Sequence, residues 1–216
     1  MSRTGSPGRF LVFEGLDGAG KSTLIQAVKT EVQRRGHGLV LSREPGGTPL
    51  AEDIRKLLLR TDHEAPVPAT ELLLYAASRA QHVAIVIKPA LEKGEWVLCD
   101  RFTASSVAFQ CFARGLSRPD TDWLNTFAKQ GAEPDLTILL DLTVAESRRR
   151  QGGADRQREA DRMERENETF HENVRRGYLE QAKESPSSWL VLDAGEKPDV
   201  LARQVIEALE ARKWLA

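Results

Sequence analysis

Residues 10–23 read FLVFEGLDGAGKST, and this stretch decides the fold. The apolar run at residues 10–13 predicts a buried strand, and the apolar spacing after Thr23 predicts a helix. Between them, residues 15–22 have the spacing of a glycine-rich loop whose backbone N–H groups surround a phosphate, aided by the helix N-terminus. We therefore predict that the following residues bind a nucleoside triphosphate: Gly15, Leu16, Asp17, Gly18, Ala19, Gly20, Lys21, Ser22 and Thr23.

Two side chains of this loop have the chemistry that a triphosphate requires. In loops of this spacing the lysine ammonium reaches the β- and γ-phosphates, and the hydroxyl after it ligates Mg²⁺. We therefore predict Lys21 as a catalytic group, Ser22 as a metal ligand and Mg²⁺ as the cofactor. The alternative is a glycine-rich turn that matches by chance, and the strand–loop–helix order argues against it.

The composition is that of an ordinary globular protein. The 216 residues suffice for one medium domain, and the net charge of −1 gives no overall attraction to nucleic acid or to a membrane surface. No segment has the length of a membrane span, and residues 1–9 are expected to form a flexible tail rather than a secretory signal. The two cysteines lack metal-ligand or disulfide spacing. We predict a cytoplasmic protein.

Strand-like and helical patterns alternate along the chain, which predicts a three-layer α/β/α fold with a five-stranded, mainly parallel sheet and helices on both faces. The predicted strands are residues 10–14, 39–42, 96–100, 136–142 and 189–192. The predicted helices are residues 23–35, 50–60, 69–92, 103–113, 121–129, 144–150, 161–185 and 198–213. In such sheets ligands bind at the carboxyl ends of the strands.

Two classes of protein with such a loop compete for this chain: a GTPase switch and a kinase of a small acceptor. A GTPase switch needs a guanine-reading sequence with Asn or Thr before Lys-x-Asp, and residues 196–199 (EKPD) lack it. A kinase of a small phosphorylated acceptor needs several guanidinium groups, and arginines are spread along the regions that should face the loop. The length and the arginines favour the kinase.

Asp100 and Arg101 end the predicted strand at residues 96–100. A carboxylate at that place holds Mg²⁺ or its water shell in enzymes with this loop, and an arginine beside it can bind an acceptor phosphate. We therefore predict Asp100 as a metal ligand and catalytic residue and Arg101 as a catalytic, phosphate-binding residue. A plain ion pair at the strand end is the alternative.

Several strings together resemble the bacterial type of the thymidylate kinase family. They are residues 13–23 (FEGLDGAGKST), 42–48 (SREPGGT), 74–81 (LYAASRAQ), 87–91 (IKPAL), 100–101 (DR) followed by 105–106 (SS), and 134–137 (PDLT). They stand in family order from about residue 10 to the C-terminus. The resemblance implies one kinase domain over residues 1–216, transfer of the γ-phosphoryl group of ATP to dTMP, and a homodimer.

The resemblance also implies roles for residues in a dTMP site. Asp17 would bond the deoxyribose 3′-hydroxyl, Tyr75 would stack on thymine, and Arg79 would read its O4 edge. Arg101 would bind the 5′-phosphate with Arg43 nearby. The remaining residues implied to line the acceptor pocket are Pro45, Ser105, Ser106 and Phe109.

Two positions depart from the family pattern. Tyr75 stands where phenylalanine is common, which keeps the stacking surface but adds a hydroxyl that needs a partner. Phe109 stands where a tyrosine commonly crowds the sugar 2′ position, and its loss of a hydroxyl predicts weaker exclusion of ribonucleotides.

Residues 148–162 are predicted to form a short lid. One branch of the family carries an arginine inside the phosphate loop, where this chain has Gly18, so the resemblance implies that lid arginines act instead. Arg158 and Arg162 are the first candidates, with Arg156 behind them. The alternatives kept open are another deoxynucleoside or nucleoside-monophosphate kinase, and a slowly hydrolysing switch or binding module.

Overall fold

The computed structural model describes residues 8–62, 64–152 and 160–215. Its centre is a five-stranded sheet in the order β2-β3-β1-β4-β5, and every neighbouring pair is parallel. The strands are β1 (Phe10–Gly15), β2 (Leu39–Arg43), β3 (Trp96–Asp100), β4 (Leu136–Asp141) and β5 (Trp189–Asp193). The predicted parallel α/β fold is confirmed, and all five predicted strands lie within one residue of their observed ends.

Helices connect the strands and cover the sheet. Those of the described residues are α1 (Lys21–Arg34), α2 (Pro49–Leu59), α3 (Pro68–His82), α4 (Lys88–Glu92), α5 (Thr103–Ser106), α6 (Arg118–Lys129), α7 (Val144–Gln151), α8 (Glu168–Glu184) and α9 (Pro198–Ala211). No helix among the described residues has the length and apolar character needed to cross a membrane.

Alternate residues of β1 belong to two different cores, which is what makes the fold three layers. Leu11 and Phe13 pack in a cluster with residues of α1 and α9, whereas Phe10 and Val12 pack in a cluster with residues of the α3–α4 connection. Because side chains alternate across a strand, the two clusters lie on opposite faces of the sheet.

Two predicted helices contain π-helical turns. The helix predicted at residues 69–92 is α3 and α4 joined by a π turn at Val83–Ile87, and the one predicted at residues 103–113 continues from α5 into a π turn at Val107–Ala113. The first turn lies just before Pro89, whose nitrogen has no hydrogen to donate, so a regular ladder would be broken there in any case.

The helix predicted at residues 161–185 begins late. Asp161 has the chemistry of an N-cap, and its Oδ1 accepts from the backbone N–H of Met163 and Glu164, each at 3.0 Å. That turn ends, and the Oδ1 of Asn167 accepts from the backbone N of Phe170 at 2.9 Å to start α8. Two capping residues six positions apart therefore divide the predicted helix into a turn and a helix.

The two predicted irregular segments are only partly described. Of the predicted tail, Arg9 is held in place rather than free, because its carbonyl accepts from the N–H of Val97 at 2.7 Å and its guanidinium pairs with Asp135 at 2.9 Å. Of the predicted lid, residues 148–151 belong to α7 and residues 153–159 lie outside the described residues.

Candidate active site

The phosphate loop connects β1 to α1 at the carboxyl edge of the sheet. Lys21 is buried at the first residue of α1, and its ammonium donates to the carbonyl oxygens of Gly15 and Leu16, both at 3.2 Å. Ser22 is exposed beside it. The loop thus presents one ammonium and one hydroxyl next to a helix N-terminus, which is the arrangement that binds phosphate anions.

Helix α7 supports the loop from behind. The hydroxyl of Ser147 and the amide of Gln151 both donate to the carbonyl oxygen of Asp17, at 2.6 and 3.0 Å. Arg150 donates to the carbonyl oxygen of Gly18 at 3.4 Å and to that of Ala194 at 2.9 Å. The phosphate loop is therefore fixed to the helix that leads into the predicted lid.

Two carboxylates at strand ends differ sharply in their surroundings. Glu14 is fully buried and accepts from the N–H of Phe102 at 2.9 Å, the N–H of Ser105 at 3.2 Å and the hydroxyl of Ser105 at 2.7 Å. Burial raises the pKa of Glu14, while the charge of Arg101 acts to lower it. Glu14 is thus a satisfied structural carboxylate.

Asp100, in contrast, has a buried Oδ1 without a hydrogen-bond partner among the described residues. It lines the same cavity as Ser22. Mg²⁺ is held in nucleotide enzymes by one or two protein oxygens together with substrate phosphates and water. A free carboxylate oxygen and a hydroxyl at the phosphate loop fit that ion, although no group of three or more carboxylate, histidine or cysteine ligands occurs in the described part of the chain.

Arg101 follows β3 with a left-handed backbone, at φ 71°. Its Nη2 donates to Oδ1 of Asp17 at 2.8 Å, and its Nη1 donates to the hydroxyl of Tyr178 at 2.8 Å. Partial burial raises the pKa of Asp17, but the charges of Arg101 and Lys21 outweigh it and hold that pKa well below its usual range. Asp17 is therefore ionised at neutral pH and connects the phosphate loop to Arg101.

One cavity of about 290 Å³ opens between the phosphate loop and these residues. Every residue predicted for the dTMP site lines it: Asp17, Arg43, Pro45, Tyr75, Arg79, Arg101, Ser105, Ser106 and Phe109. The cavity is also lined by Lys21, Ser22 and Asp100, which are predicted to act on the triphosphate and its metal ion. These residues come from four separate regions of the sequence, and the fold brings them to one place.

Arg79 is buried at the floor of this cavity by four hydrogen bonds. Its guanidinium donates to Glu44 at 2.8 Å, to Ser106 at 3.1 Å, to Asn125 at 2.6 Å and to the carbonyl oxygen of Phe102 at 3.1 Å. Four of its five N–H groups are thus used. The side chain is held rigidly, as a donor that reads a base edge must be.

Glu44 is itself held from both sides. One of its oxygens accepts from Arg79, and the other lies 3.0 Å from Nδ1 of His82. Nε2 of His82 lies 2.5 Å from the hydroxyl of Ser42. The resulting chain Ser42–His82–Glu44–Arg79 joins the end of β2 to α3 and fixes the turn that carries Pro45.

The aromatic side chains of the cavity are Tyr75 and Phe109. Burial raises the pKa of Tyr75, which keeps its hydroxyl neutral. The guanidinium carbon of Arg101 lies over the ring of Phe109, 5.2 Å from the ring centroid. The rings of Phe109 and Tyr178 meet edge-on with their centroids 6.4 Å apart. The bulky ring that the sequence predicts here is therefore packed between a cation and a second aromatic ring.

Two arginines frame the outer side of the cavity. Arg43 pairs with Glu52 at 3.0 Å, and its side chain is 54% exposed. Arg55 donates to the carbonyl oxygen of Pro45 at 3.0 Å, and burial together with the charge of Arg43 lowers the pKa of its guanidinium. The two guanidinium groups add positive charge to this side of the cavity.

The predicted lid arginines have different outcomes. Arg156 and Arg158 lie outside the described residues. Arg162 is described, but its guanidinium donates to Glu71 at 2.6 Å and to the carbonyl oxygen of Leu58 at 3.0 Å, and it does not line the cavity. Its predicted contact with a triphosphate therefore requires that it leave Glu71.

Sequence reasoning did not find several cavity residues or their supports. Arg55, Gln110, Asp161 and Met163 line the cavity, and Tyr178 holds Arg101. Tyr178 had a detectable signal, because it extends the apolar spacing of residues 170 and 174 on α8, but that spacing indicates only burial. The other residues lie outside the recognised strings.

Comparisons with known proteins agree with this geometry. The family model described as "Thymidylate kinase" matches residues 13–205. A thymidylate kinase of Bdellovibrio bacteriovorus is 56% identical over 209 residues, covering 96% of this chain and 98% of that protein. One of Geobacter sulfurreducens is 46% identical, covering 94% and 96%. The crystal structure of thymidylate kinase from Ehrlichia chaffeensis superposes with a TM-score of 0.74 at 30% identity, covering 94% of this chain and 99% of that chain.

Proposed function

The chain belongs to the thymidylate kinase family, and we propose from this premise which of its residues carry the transfer of the γ-phosphoryl group from ATP to dTMP. The products are ADP and dTDP. The observation that supports the assignment is that one cavity joins the phosphate loop, Arg101 and the predicted base-contacting residues Tyr75 and Arg79. Donor and acceptor phosphates can therefore meet between Lys21 and Arg101.

On the donor side, residues 15–23 bind the triphosphate and Lys21 neutralises charge on its β- and γ-phosphates. Ser22 and Asp100 are the groups that would hold Mg²⁺. The chemistry that Mg²⁺ supplies when bound is neutralisation of charge on the transferring phosphate. The unpartnered oxygen of Asp100 supports this assignment, since a buried carboxylate oxygen needs a cation or a donor.

On the acceptor side, Arg101 and Arg43 bind the 5′-phosphate and Asp17 accepts from the 3′-hydroxyl. The residues assigned to the base and sugar are Tyr75 and Pro45, which pack against thymine, Arg79, which donates to its O4, and Ser105, Ser106 and Phe109, which close the pocket. The four hydrogen bonds that fix Arg79 support a reader of O4, because a rigid donor favours a carbonyl oxygen and rejects an amino group.

The reaction needs no general base, because the acceptor oxygen is already anionic near neutral pH. Glu14 and Glu44 are engaged in internal hydrogen bonds and are therefore poorly placed to take a proton from a nucleoside hydroxyl. Catalysis then rests on in-line positioning and on charge neutralisation by Lys21 and Arg101. Arg158 remains our candidate for the lid cation over the triphosphate.

We further propose a homodimer. Trp123 and Phe127 stand one turn apart on α6, 68% and 69% exposed, with their rings stacked at a centroid distance of 6.0 Å. Helix α6 packs beside α3, on which Leu73 is also exposed. Large exposed apolar side chains on adjacent helices are typical of a surface that a second subunit covers.

We also propose that residues 1–216 work as one domain with a lid at residues 148–162, and that the enzyme acts in the cytoplasm. The free thiols of Cys99 and Cys111 are consistent with a reducing compartment.

A coupled ADP-release assay with Mg-ATP tests the acceptor assignment. The acceptors are dTMP, dUMP, UMP, dCMP, AMP and thymidine. We expect strong turnover with dTMP, weaker turnover with dUMP and little with the others. Arg79 favours a carbonyl at position 4, which dCMP and AMP lack. Thymidine lacks the 5′-phosphate that Arg101 binds, and the 2′-hydroxyl of UMP meets the bulk of Phe109. Turnover with thymidine but not dTMP would contradict the role of Arg101 as a phosphate ligand, and ADP release indifferent to the acceptor would contradict a kinase.

A further inference from the structure

Glu71 forms a buried ion cluster that the proposed mechanism does not use. It lies on α3 with no exposed surface, and its carboxylate accepts from Gln110 at 2.9 Å, from Arg114 at 3.3 Å and from Arg162 at 2.6 Å. Gln110 lies in the π turn after α5, Arg114 directly follows that turn, and Arg162 lies in the segment before α8. One carboxylate therefore joins α3 to two other parts of the chain.

The charges of this cluster balance. Arg114 also pairs with Glu166 at 2.6 Å, so two guanidinium groups face two carboxylates. A buried charge that loses its partner is left uncompensated in a medium that solvates it poorly, so such a closed network resists opening. The contact between Glu71 and Arg162 is accordingly a firm attachment rather than a surface ion pair.

Arg162 belongs to a short segment, residues 161–164, that we call the strap. The backbone N–H of Arg162 donates to the carbonyl oxygen of Leu59 at 3.3 Å, and the guanidinium of Arg162 donates to the carbonyl oxygen of Leu58 at 3.0 Å. The other three residues of the strap, Asp161, Met163 and Glu164, line the cavity. Within the strap, Arg162 therefore contacts α2 and α3, whereas Asp161, Met163 and Glu164 face the acceptor cavity.

Glu71 lies on the same face of α3 as the two residues assigned to the base. Positions 71, 75 and 79 are spaced four apart, which places their side chains above one another on a helix. Glu71 is buried, Arg79 is buried, and Tyr75 between them lines the cavity. The helix that reads the base thus also holds the strap.

We propose that Glu71 is a positioning residue for the acceptor: by binding Arg162 it holds the strap in place as a wall of the acceptor cavity. This inference rests on the assignment of that cavity to dTMP. Glu71 does not touch the reacting atoms, so it acts only through the strap. Arg162 is, on this view, a positioning residue as well, and direct contact with the triphosphate falls to Lys21 and to the lid.

The test is Glu71→Gln, which keeps the shape of the side chain but removes its charge and one of its acceptor atoms. A misplaced wall should raise the KM for dTMP and lower kcat by roughly ten- to hundredfold together. The KM for ATP should stay within about twofold, because Lys21 and α7 hold the donor side independently of the strap.

Glu166→Gln is the matched control. It removes a carboxylate from the same network and from the same Arg114, but it leaves the contact between Glu71 and Arg162 intact. We expect its KM for dTMP to stay within about twofold of the wild type, since the strap keeps its anchor. Equal effects of the two substitutions would overturn the proposal, as would a Glu71→Gln enzyme with unchanged dTMP kinetics.

A double-mutant cycle with Arg162→Gln separates this role from a merely structural one. If the pair acts as a unit, the double variant is no worse for dTMP than the worse single variant. Independent, multiplying losses would overturn the proposal. If Glu71→Gln does not fold, Arg162→Gln and Arg162→Lys replace it in the test. These variants leave Gln110 and Arg114 as partners of the buried Glu71 carboxylate, so we expect them to fold. The lysine must then recover part of the loss in KM for dTMP, and no recovery would overturn the proposal.

Failure of this inference can be told apart from failure of the site assignment. Arg79→Ala should raise the KM for dTMP far more than that for ATP if the cavity binds dTMP. If Arg79→Ala does so and Glu71→Gln does not, the cavity assignment stands and the positioning role is wrong. If neither variant changes the KM for dTMP, the assignment of the cavity itself is wrong.

Discussion

Arg101 is an arginine in a conformation that ordinary residues avoid. A left-handed backbone costs such a residue about 1–2 kcal/mol, and Arg101 has φ 71°. Its backbone N–H donates to the carbonyl oxygen of Phe13 at 2.9 Å, and its guanidinium is held by Asp17 and Tyr178. The strain is offset by these bonds, and they aim the guanidinium into the cavity before any phosphate arrives.

Tyr178→Phe should weaken acceptor binding. The substitution removes the oxygen that accepts from Arg101 at 2.8 Å and that lies 2.8 Å from the hydroxyl of Ser105. A hydrogen bond to a charged group contributes about 1.5–3 kcal/mol, so we expect the KM for dTMP to rise by about ten- to hundredfold. Steady-state kinetics with dTMP and ATP varied separately measure the effect, and the KM for ATP should hardly change.

Tyr75→Phe is the control for this variant. The hydroxyl of Tyr75 forms no hydrogen bond with any described residue, so its loss leaves no group without a partner, and the ring still stacks. We expect less than about a twofold change in KM. If Tyr75→Phe and Tyr178→Phe had the same effect, the hydroxyl of Tyr178 would have no special part in holding Arg101.

At the scale of single residues, the sequence predicts the cavity side chains within recognised strings and misses their supports. Asp17, Arg79 and Arg101 lie within those strings, and all three line the cavity. Tyr178 stands 77 positions from Arg101, and Asn125 stands 46 positions from Arg79. Contacts at such separations follow from the packing of whole helices, which one sequence does not reveal.

The turn after β2 is the element that connects the base-reading network to the sheet. The N–H of Gly47 donates to Glu52 at 3.1 Å, and the N–H of Gly46 donates to Ser78 at 3.2 Å. A side-chain carbon at Gly47 would lie 2.6 Å from Cδ2 of His82 and 2.7 Å from the hydroxyl of Ser42. The glycine thus leaves room for the histidine that holds Glu44.

Gly47→Ala should therefore impair both stability and acceptor binding, and Gly36→Ala is its control. Both glycines have φ 85°, but Gly36 has nothing within 4 Å of an added carbon. Gly36→Ala should cost only the backbone strain, about 1–2 kcal/mol. Gly47→Ala should cost more and also raise the KM for dTMP, because His82 must move away from Glu44.

Urea unfolding and dTMP kinetics of both variants check this prediction. If the two alanine variants lost equal amounts of unfolding free energy, the contact between the added carbon and His82 would not destabilise the protein. An unchanged KM for dTMP in Gly47→Ala would show that the Ser42–His82–Glu44 chain has no part in base recognition.

At the scale of elements, the sequence predicts the identity of helices and strands and the limits of the strands. It predicts the limits and internal turns of the helices less well. Buried parallel strands are apolar throughout, so their limits are sharp. The sequence predicts the start of α8 too early, because Asp161 and Asn167 both have the chemistry of an N-cap. The π turns were not predicted, because a local change of hydrogen-bond register leaves the apolar spacing almost unaltered.

The exposed aromatic pair on α6 decides the proposed assembly of the whole molecule. Replacing both Trp123 and Phe127 by lysine puts two charges into the surface that a second subunit would cover. We expect a change from dimer to monomer in sedimentation velocity at micromolar concentration, with the fold retained by circular dichroism.

Val191→Lys is the matched control for this prediction. Val191 is also an exposed apolar residue, 47% accessible, but it lies on the edge strand β5 and not on α6 or α3. This variant should keep the oligomeric state of the wild type. A wild-type enzyme that sediments as a monomer, or a lysine pair on α6 that leaves a dimer intact, would contradict the homodimer.

For the whole molecule, the order of strings in the sequence was enough to identify the fold and the family. The five-stranded parallel sheet follows from alternating patterns, and the family follows from the phosphate loop joined to residues 42–48. The sequence does not divide exposed from buried apolar positions on α3 and α6, because both kinds share the helical spacing. The aromatic pair on α6 is visible only once the helices are packed.

The support of the phosphate loop by α7 has a consequence for how such enzymes can evolve. A side-chain carbon at Gly18 would lie 3.2 Å from the carbonyl oxygen of Ser147 and 3.4 Å from Cβ of Arg150, on a backbone with φ 78°. An arginine at position 18 would have to adopt this left-handed backbone, and α7 would have to move by a few tenths of an ångström to make room for it. We therefore expect that moving the cationic group from the lid to the loop also requires a compensating change in the neighbouring helix α7.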